Sequence, residues 1–296
     1  MEGSIAVTDQ AAASRRPGRW ALTALAVCAV AAGCQRPPSP YPPSPSASPP
    51  SVSPPPSGAT VRPGLVDLAD VDPRILTDFR YATAHNFVGR PIAGYEEPLC
   101  LLTRPAAEAL RRVQDVALEQ GRSLKVYDCY RPQRAVDEFV AWGAQPGAQE
   151  MKAEFYPRVA KSDLFAEGYL GAPSAHSRGS TVDLTLVDVP AAPQPTYSPG
   201  QSLRPCTAPA QQRFPDNSVD MGTGFDCFDP LSATDNPRVD ATARANRRLL
   251  EGLMTDAGFV NYDREWWHYR YRDEPWPDTY FDLPVARSST GHRGGS

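Results

Sequence analysis

His176 and Asp183 stand seven residues apart in the stretch SAHSRGSTVDLTL, with Arg178 and Gly179 between them. An imidazole and a carboxylate placed on either side of a bend can ligate one metal ion if a third group reaches them. The chain has four histidines, His85, His176, His268 and His292. His268 lies in EWWHYRY, three residues after Glu265. A catalytic zinc needs three protein ligands and one open position. His176, Asp183 and His268 would supply two nitrogens and one oxygen, leaving Glu265 to act as base on the water. Each piece alone has a plainer reading, since a loop histidine is commonly solvated and a glutamate before two tryptophans can be an ion-pair partner.

The elements that must position these residues follow from the pattern. Thr103 to Gln120 reads as a helix, with Thr103 as cap, Pro105 in the first turn, Leu110, Val113 and Ala117 on one face, and Gly121 as the stop. SLKVYDCY, residues 123–130, alternates as a strand and ends at Arg131-Pro132. QRAVDEFVAW follows as a helix with Ala135, Val136, Phe139 and Val140 inward. A strand runs from Thr181 to Val187, a third helix from Arg238 to Ala257, and a final strand from Phe259 to Tyr271. Gly179 lets the chain enter the Asp183 strand. Residues i and i+3 point to opposite faces of a regular strand, so Glu265 and His268 can meet only if a twist or bulge intervenes. Interleaved helices and strands with a long irregular loop, Asp188 to Asp235, predict a single α+β domain with a small, mainly antiparallel sheet and flanking helices.

Not all of the 296 residues belong to that domain. Residues 37–57 are Pro and Ser apart from one Tyr, one Ala and one Val, so residues 35–60 read as an extended linker that cannot bury apolar area. Before it, Arg15, Arg16 and Arg19 precede the apolar run Trp20 to Ala32, then Gly33 and Cys34. That run is short for a membrane span and suits a signal peptide over residues 1–34. Small residues before a cysteine, followed at once by a spacer, predict a lipoprotein with Cys34 as its lipidated N-terminus, although Ala31 stands where such signals usually carry a larger aliphatic residue. The expected location is therefore the outer face of the cell membrane, held only by the lipid anchor. Ordinary cleavage would instead release the protein. The folded domain spans 61–286, and residues 287–296, with His292, read as a disordered tail. A net charge of -4 without a basic stripe excludes nucleic acid as an expected partner.

Export would place Cys100, Cys129, Cys206 and Cys227 in an oxidising compartment. Four cysteines allow three pairings, which sequence alone does not separate. Pairing nearest neighbours, Cys100–Cys129 and Cys206–Cys227, is the expectation. A four-cysteine zinc site is the alternative, but no CxxC spacing supports it.

SAHSRGSTVDLTL together with EWWHY resembles the SxHxxGxxxD and ExxH pair of the zinc D,D-peptidases, the superfamily that includes the hedgehog fold. YATAHNFVGRPIAGY, LKVYDCYRPQRAVDEFVAW, MKAEFYPRV, DMGTGFDCFD, ANRRLL and EWWHYRYRDEPWPDTYFD resemble, in that order, the D-alanyl-D-alanine dipeptidases of the vancomycin-resistance type. The resemblance covers Leu68 to Pro284. It implies one zinc per chain on His176, Asp183 and His268, with Glu265 as catalytic base and Arg131 stabilising the tetrahedral intermediate. It further implies that Asp226 holds the free amino group of the dipeptide and that Tyr81, Tyr169 and Ser174 line the substrate pocket. Without the resemblance, Asp226 would read as a turn residue, Arg131 as a surface ion pair, and the two tyrosines as core. LSATDN follows Asp229-Pro230 where relatives often carry a histidine.

The activity this implies is zinc-dependent hydrolysis of D-alanyl-D-alanine to two D-alanines, in cell-wall peptide turnover or glycopeptide resistance. A carboxypeptidase acting on peptidoglycan stem peptides is the rival enzyme, and a non-catalytic wall-peptide-binding domain the rival from another class. A pure binder needs neither Glu265 nor Arg131.

Overall fold

The computed structural model describes residues 63–291. The expected leader with Cys34, the linker and residues 292–296 lie outside the described residues. In chain order the elements are β1 (Leu65–Asp67), α1 (Leu68–Val71), β2 (Leu76–Thr77), β3 (Leu101–Thr103), α2 (Arg104–Glu119), β4 (Arg122–Asp128), α3 (Gln133–Gly143), α4 (Lys152–Phe155), β5 (Thr181–Asp188), α5 (Ala241–Asp256), β6 (Phe259–Tyr262) and β7 (Glu265–Tyr271). Five strands form one sheet in the order β2-β4-β5-β7-β6, and β1 pairs with β3 in a small second sheet. Only the edge pair β2–β4 is parallel, so the expected α+β class with a mainly antiparallel sheet holds.

The sheet is held by alternation. Val182, Leu184 and Leu186 of β5 are fully buried in the core beneath α2 and α5, while Thr181, Asp183 and Thr185 occupy the alternate positions. Leu110, Val113 and Ala117 pack into the same core from α2, as their spacing predicts, together with Leu250, Leu253 and Met254 of α5. Truncating a core side chain such as Leu110 would cost about 2–5 kcal/mol. A second cluster brings Phe139 and Trp142 of α3 against Tyr81, Phe87, Phe155, Tyr169 and Phe228.

Several expectations shift for identifiable reasons. Thr103 occupies the N-cap position of α2 but makes no side-chain cap bond. Its hydroxyl instead shares a 2.7 Å hydrogen bond with Ser180, and its N–H donates to the Gly179 carbonyl at 2.7 Å. Val140 is 43% exposed, because Trp142 completes the buried stripe of α3 one turn after Phe139. The third helix begins later than expected, at Ala241, where the Asp240 carboxylate accepts from the Ala243 N–H. The final strand is two strands, β6 and β7, reversed at Asp263-Arg264. The loop after β5 holds only two 3-10 turns, Ala210–Gln212 and Pro230–Ser232, among regular helices and strands. Residues 287–291, expected within the disordered tail, include a 3-10 turn at Arg287–Ser289. Arg287 pairs there with Asp67 and Asp70, and the Gly291 N–H donates to the Leu65 carbonyl at 2.8 Å.

Both expected disulfides are present. Cys100–Cys129 joins the approach to β3 to the end of β4, with Cα atoms 5.2 Å apart. Cys206–Cys227 fastens the long loop to the segment carrying Asp226, with Cα atoms 5.5 Å apart.

Candidate active site and metal centre

Three adjacent strands bring the chemistry to one line across the sheet. Asp183 of β5 is paired with Asp128 of β4 on one side and with His268 of β7 on the other. The pairing with Asp128 follows a register shift between Val126 and Asp128. His176 comes from a short 3-10 turn, Ala175–Arg178, ahead of β5. Ser174 caps that turn through its hydroxyl, and Gly179 ends it at φ +80°. A Cβ at Gly179 would also lie 2.8 Å from Leu65 Cδ2, so both conformation and space require glycine there. The sequence-level role of Gly179 as the entry into the Asp183 strand is what the backbone shows.

The donor atoms of His176, Asp183 and His268 lie within 4.8 Å of one another. His176 Nε2 is 3.2 Å from His268 Nδ1 and 3.3 Å from Asp183 Oδ1, and His268 Nδ1 is 3.1 Å from the same oxygen. Ligands roughly 2.0–2.1 Å from a tetrahedral zinc are roughly 3.3 Å apart, so this triangle has the size of one face of such a site. His176 Nδ1 donates to the Cys129 carbonyl at 2.7 Å, which leaves the Nε2 lone pair facing Asp183 and His268. Asp183 Oδ1 is buried and makes no hydrogen bond. Lone pairs and a carboxylate oxygen converging in a buried space repel unless a cation sits among them. The three residues therefore fit a divalent metal.

Burial pushes Asp183 up, yet positive charge on the neighbouring imidazoles outweighs it and holds the carboxyl below the usual carboxylate range, a charge that a bound cation would supply in their place. Burial lowers His268, which favours the neutral ring that a metal requires. Glu265 is outside the triangle, with its Oε2 3.8 Å from His268 Nδ1. Burial, reinforced by Asp183 and Asp226, pushes its carboxyl well above the usual range. The irregularity needed for Glu265 and His268 to face one site is present, as a register shift between Asn261 and Tyr262 on the paired strand β6.

Arg131 is buried, where a surface ion pair would have been exposed. Its Nε and Nη2 reach Asp128 Oδ2 at 3.0 and 2.9 Å, its Nη2 lies 3.6 Å from Asp183, and its guanidinium sits over the rings of Tyr81 and Phe139. Asp226, at φ +53°, accepts a 2.7 Å hydrogen bond from the Tyr81 hydroxyl. Burial first, then the charge of Asp183, pushes its carboxyl up to about 7. Tyr169 packs on Phe228. All nine residues singled out in the sequence line one cavity of about 600 Å³, whose wall also includes Phe165, Leu170, Phe228 and Tyr262.

Two residues escaped the sequence reading. Asp128 accepts from Arg131 and from the Tyr95 hydroxyl at 2.7 Å, and its Oδ2 lies 3.5 Å from His176 Nδ1. Its signal was a charged residue on the apolar face of Leu124 and Val126. Asn261 holds the carbonyls of both Glu265 and His268, and no local pattern marks it.

The family model described as D-ala-D-ala dipeptidase matches residues 62–192 and 188–286. Fold and site are thus those of a metallopeptidase. A D-alanyl-D-alanine dipeptidase of Streptomyces coelicolor is 41% identical over 212 residues, covering 71% of this chain and 92% of the relative. One of Enterococcus faecium is 35% identical over 222 residues, covering 75% and 98%. A third, of Escherichia coli, is 33% identical over 224 residues, covering 76% and 86%. The chain belongs to the D-ala-D-ala dipeptidase family.

Proposed function

We propose that this chain hydrolyses D-alanyl-D-alanine to two molecules of D-alanine, using one zinc ion held by His176, Asp183 and His268. Family membership supports the reaction, and the ligand triangle supports the metal. Bound there, zinc supplies Lewis acidity to a carbonyl oxygen and to water. Glu265, beside the ligands and poised by burial to hold a proton, takes the proton of the attacking water and passes it to the departing D-alanine amine. Arg131, fixed by Asp128 and lining the same cavity, would offer its guanidinium to the oxygen on which negative charge develops. Tyr169 and Ser174 wall the cavity, and Ser174 also holds the His176 turn.

Asp226 is the observation that carries the dipeptide reading. It is a buried carboxylate in the same cavity, outside the ligand triangle, held by the Tyr81 hydroxyl through one oxygen only. A dipeptide brings an ammonium close to its scissile bond, whereas a stem peptide brings a neutral amide. A charged partner suits the first and leaves a buried carboxylate unpaired with the second. Zinc-loaded protein should release D-alanine from D-alanyl-D-alanine, and Glu265→Gln should keep the zinc while losing turnover by several orders of magnitude. Near-normal turnover by Glu265→Gln would remove the assigned base.

We also propose that the chain is exported and lipidated at Cys34, where it would act on wall-derived dipeptides. Two disulfides among the four domain cysteines suit an oxidising compartment. Mass spectrometry of the mature N-terminus, which should carry acyl chains on Cys34, tests this.

A further inference from the structure

Glu265 and His268 are three residues apart on β7, yet both line the one cavity. A regular strand would send them to opposite faces. The register shows where regularity is lost: Asn261 pairs with Tyr269, while the next residue, Tyr262, already pairs with Glu265. Residues 266–268 of β7 therefore face no partner of their own on β6. Trp266 and Trp267, although consecutive, join the same core cluster with their ring centroids 5.2 Å apart.

Such an excess needs something to hold it. The side chain of Asn261 spans it: Nδ2 donates to the Glu265 carbonyl and to the His268 carbonyl, each at 3.0 Å. Its Oδ1 accepts from the Thr234 hydroxyl at 2.6 Å. The Thr234 N–H in turn donates to the Asp263 carbonyl at 2.9 Å, in the turn of the hairpin. The amide thus has its two donors and its oxygen committed, and the two backbone groups it grips belong to the two residues whose spacing is anomalous.

We propose that Asn261 is a positioning residue for the peptidase reaction, clamping the bulge of β7 so that the Glu265 carboxylate and the His268 imidazole meet at one point. This rests on the reading of Glu265 as base and His268 as ligand. The clamp needs an amide. Asp has the same shape but no N–H to give, and it sets a carboxylate against two carbonyls. Thr234 orients the clamp, and Ser at that position would do the same.

The test uses the full zinc-loaded chain. Asn261→Asp, Thr234→Val and Thr234→Ser are compared with Glu265→Gln for kcat and KM per folded, zinc-loaded molecule, and for amide exchange of residues 266–269. Asn261→Asp should lower kcat at least about 100-fold, since a displacement near 1 Å at a reacting group costs about that much. KM should stay within about threefold, and the amides should exchange faster. Thr234→Val should show the same split at about tenfold, and Thr234→Ser should restore kcat. Faster exchange with kcat within about threefold of wild type would overturn the proposal, as would loss of activity only in proportion to loss of folded protein. If Asn261→Asp does not fold, Thr234→Val and its Ser rescue decide by the same criteria. A normal rate in Glu265→Gln would instead remove the base assignment, whatever Asn261 does.

Discussion

The Nδ1–H of His176 donates to the carbonyl of Cys129 at 2.7 Å, so the residue that closes the first disulfide also sets the tautomer of a candidate metal ligand. The disulfide closes a loop of sequence separation 29, which in the chain-entropy treatment stabilises the fold by about 3–4 kcal/mol. It also restrains the carbonyl that orients the imidazole. Replacing Cys100 and Cys129 together by Ser keeps that carbonyl but removes its restraint, so zinc binding should weaken by less than the roughly 10–100-fold that outright loss of a partner behind a ligand costs. Chelator competition measures it. Unchanged affinity in the double variant would show that the β4 ladder alone holds the carbonyl.

Asp128 should matter to catalysis although it touches no ligand atom of the triangle. It accepts the two shortest contacts of the Arg131 guanidinium, from Nε and Nη2. Asp128→Asn should lower kcat by about 10²–10³, the scale of losing one aimed donor, with a smaller change in KM. The double variant with Arg131→Ala should be hardly worse than Arg131→Ala alone, because both changes remove one device. Additive losses in that cycle would separate the two residues.

The Asp226 carboxyl leads to a pH effect on stability. Its ordinary value of 3.8 is raised to about 7, first by burial and then by Asp183. Between those values the folded metal-free protein holds a proton that the unfolded chain releases. That contribution is complete below about 3.8 and is lost as pH rises through about 7. Denaturation of the metal-free protein across this window should show stability falling more steeply in wild type than in Asp226→Asn. Zinc beside Asp183 should shift the wild-type loss to lower pH by offsetting the neighbouring negative charge. Parallel curves for wild type and variant would contradict the placement of Asp226.

Local pattern made the core of the fold legible. Leu110, Val113 and Ala117 repeat at helical spacing, and Val182, Leu184 and Leu186 alternate, so each element declares its own buried face. The candidate ligand set came from the spacing together with the resemblance, and the fold brings its three donors together, while the need for a bulge between Glu265 and His268 followed from strand geometry alone. What stayed hidden is tertiary. Val140 loses its place in the core to Trp142, and Thr103 gives its hydroxyl to Ser180 across 77 residues. Asp226 at φ +53° resembles an ordinary turn aspartate, and only the resemblance pointed to its place in the cavity. Asp128 and Asn261 act on residues close in sequence, Arg131 for the first and Glu265 and His268 for the second, but through a turn after β4 and a bulged hairpin that no periodicity marks.

The most direct test is the ratio of kcat/KM for free D-alanyl-D-alanine to that for its N-acetyl derivative, in zinc-loaded wild type and in Asp226→Ala. Acetylation removes the ammonium that Asp226 is proposed to hold and adds bulk at the same point. A charge-assisted bond is worth roughly 1.5–3 kcal/mol, and an unpaired buried carboxylate adds a further cost. Wild type should therefore prefer the free dipeptide by at least about a hundredfold. Asp226→Ala should lose most of that preference by failing on the free dipeptide far more than on the acetylated one. Equal cleavage of the two substrates by wild type would contradict the dipeptidase account and put a carboxypeptidase in its place.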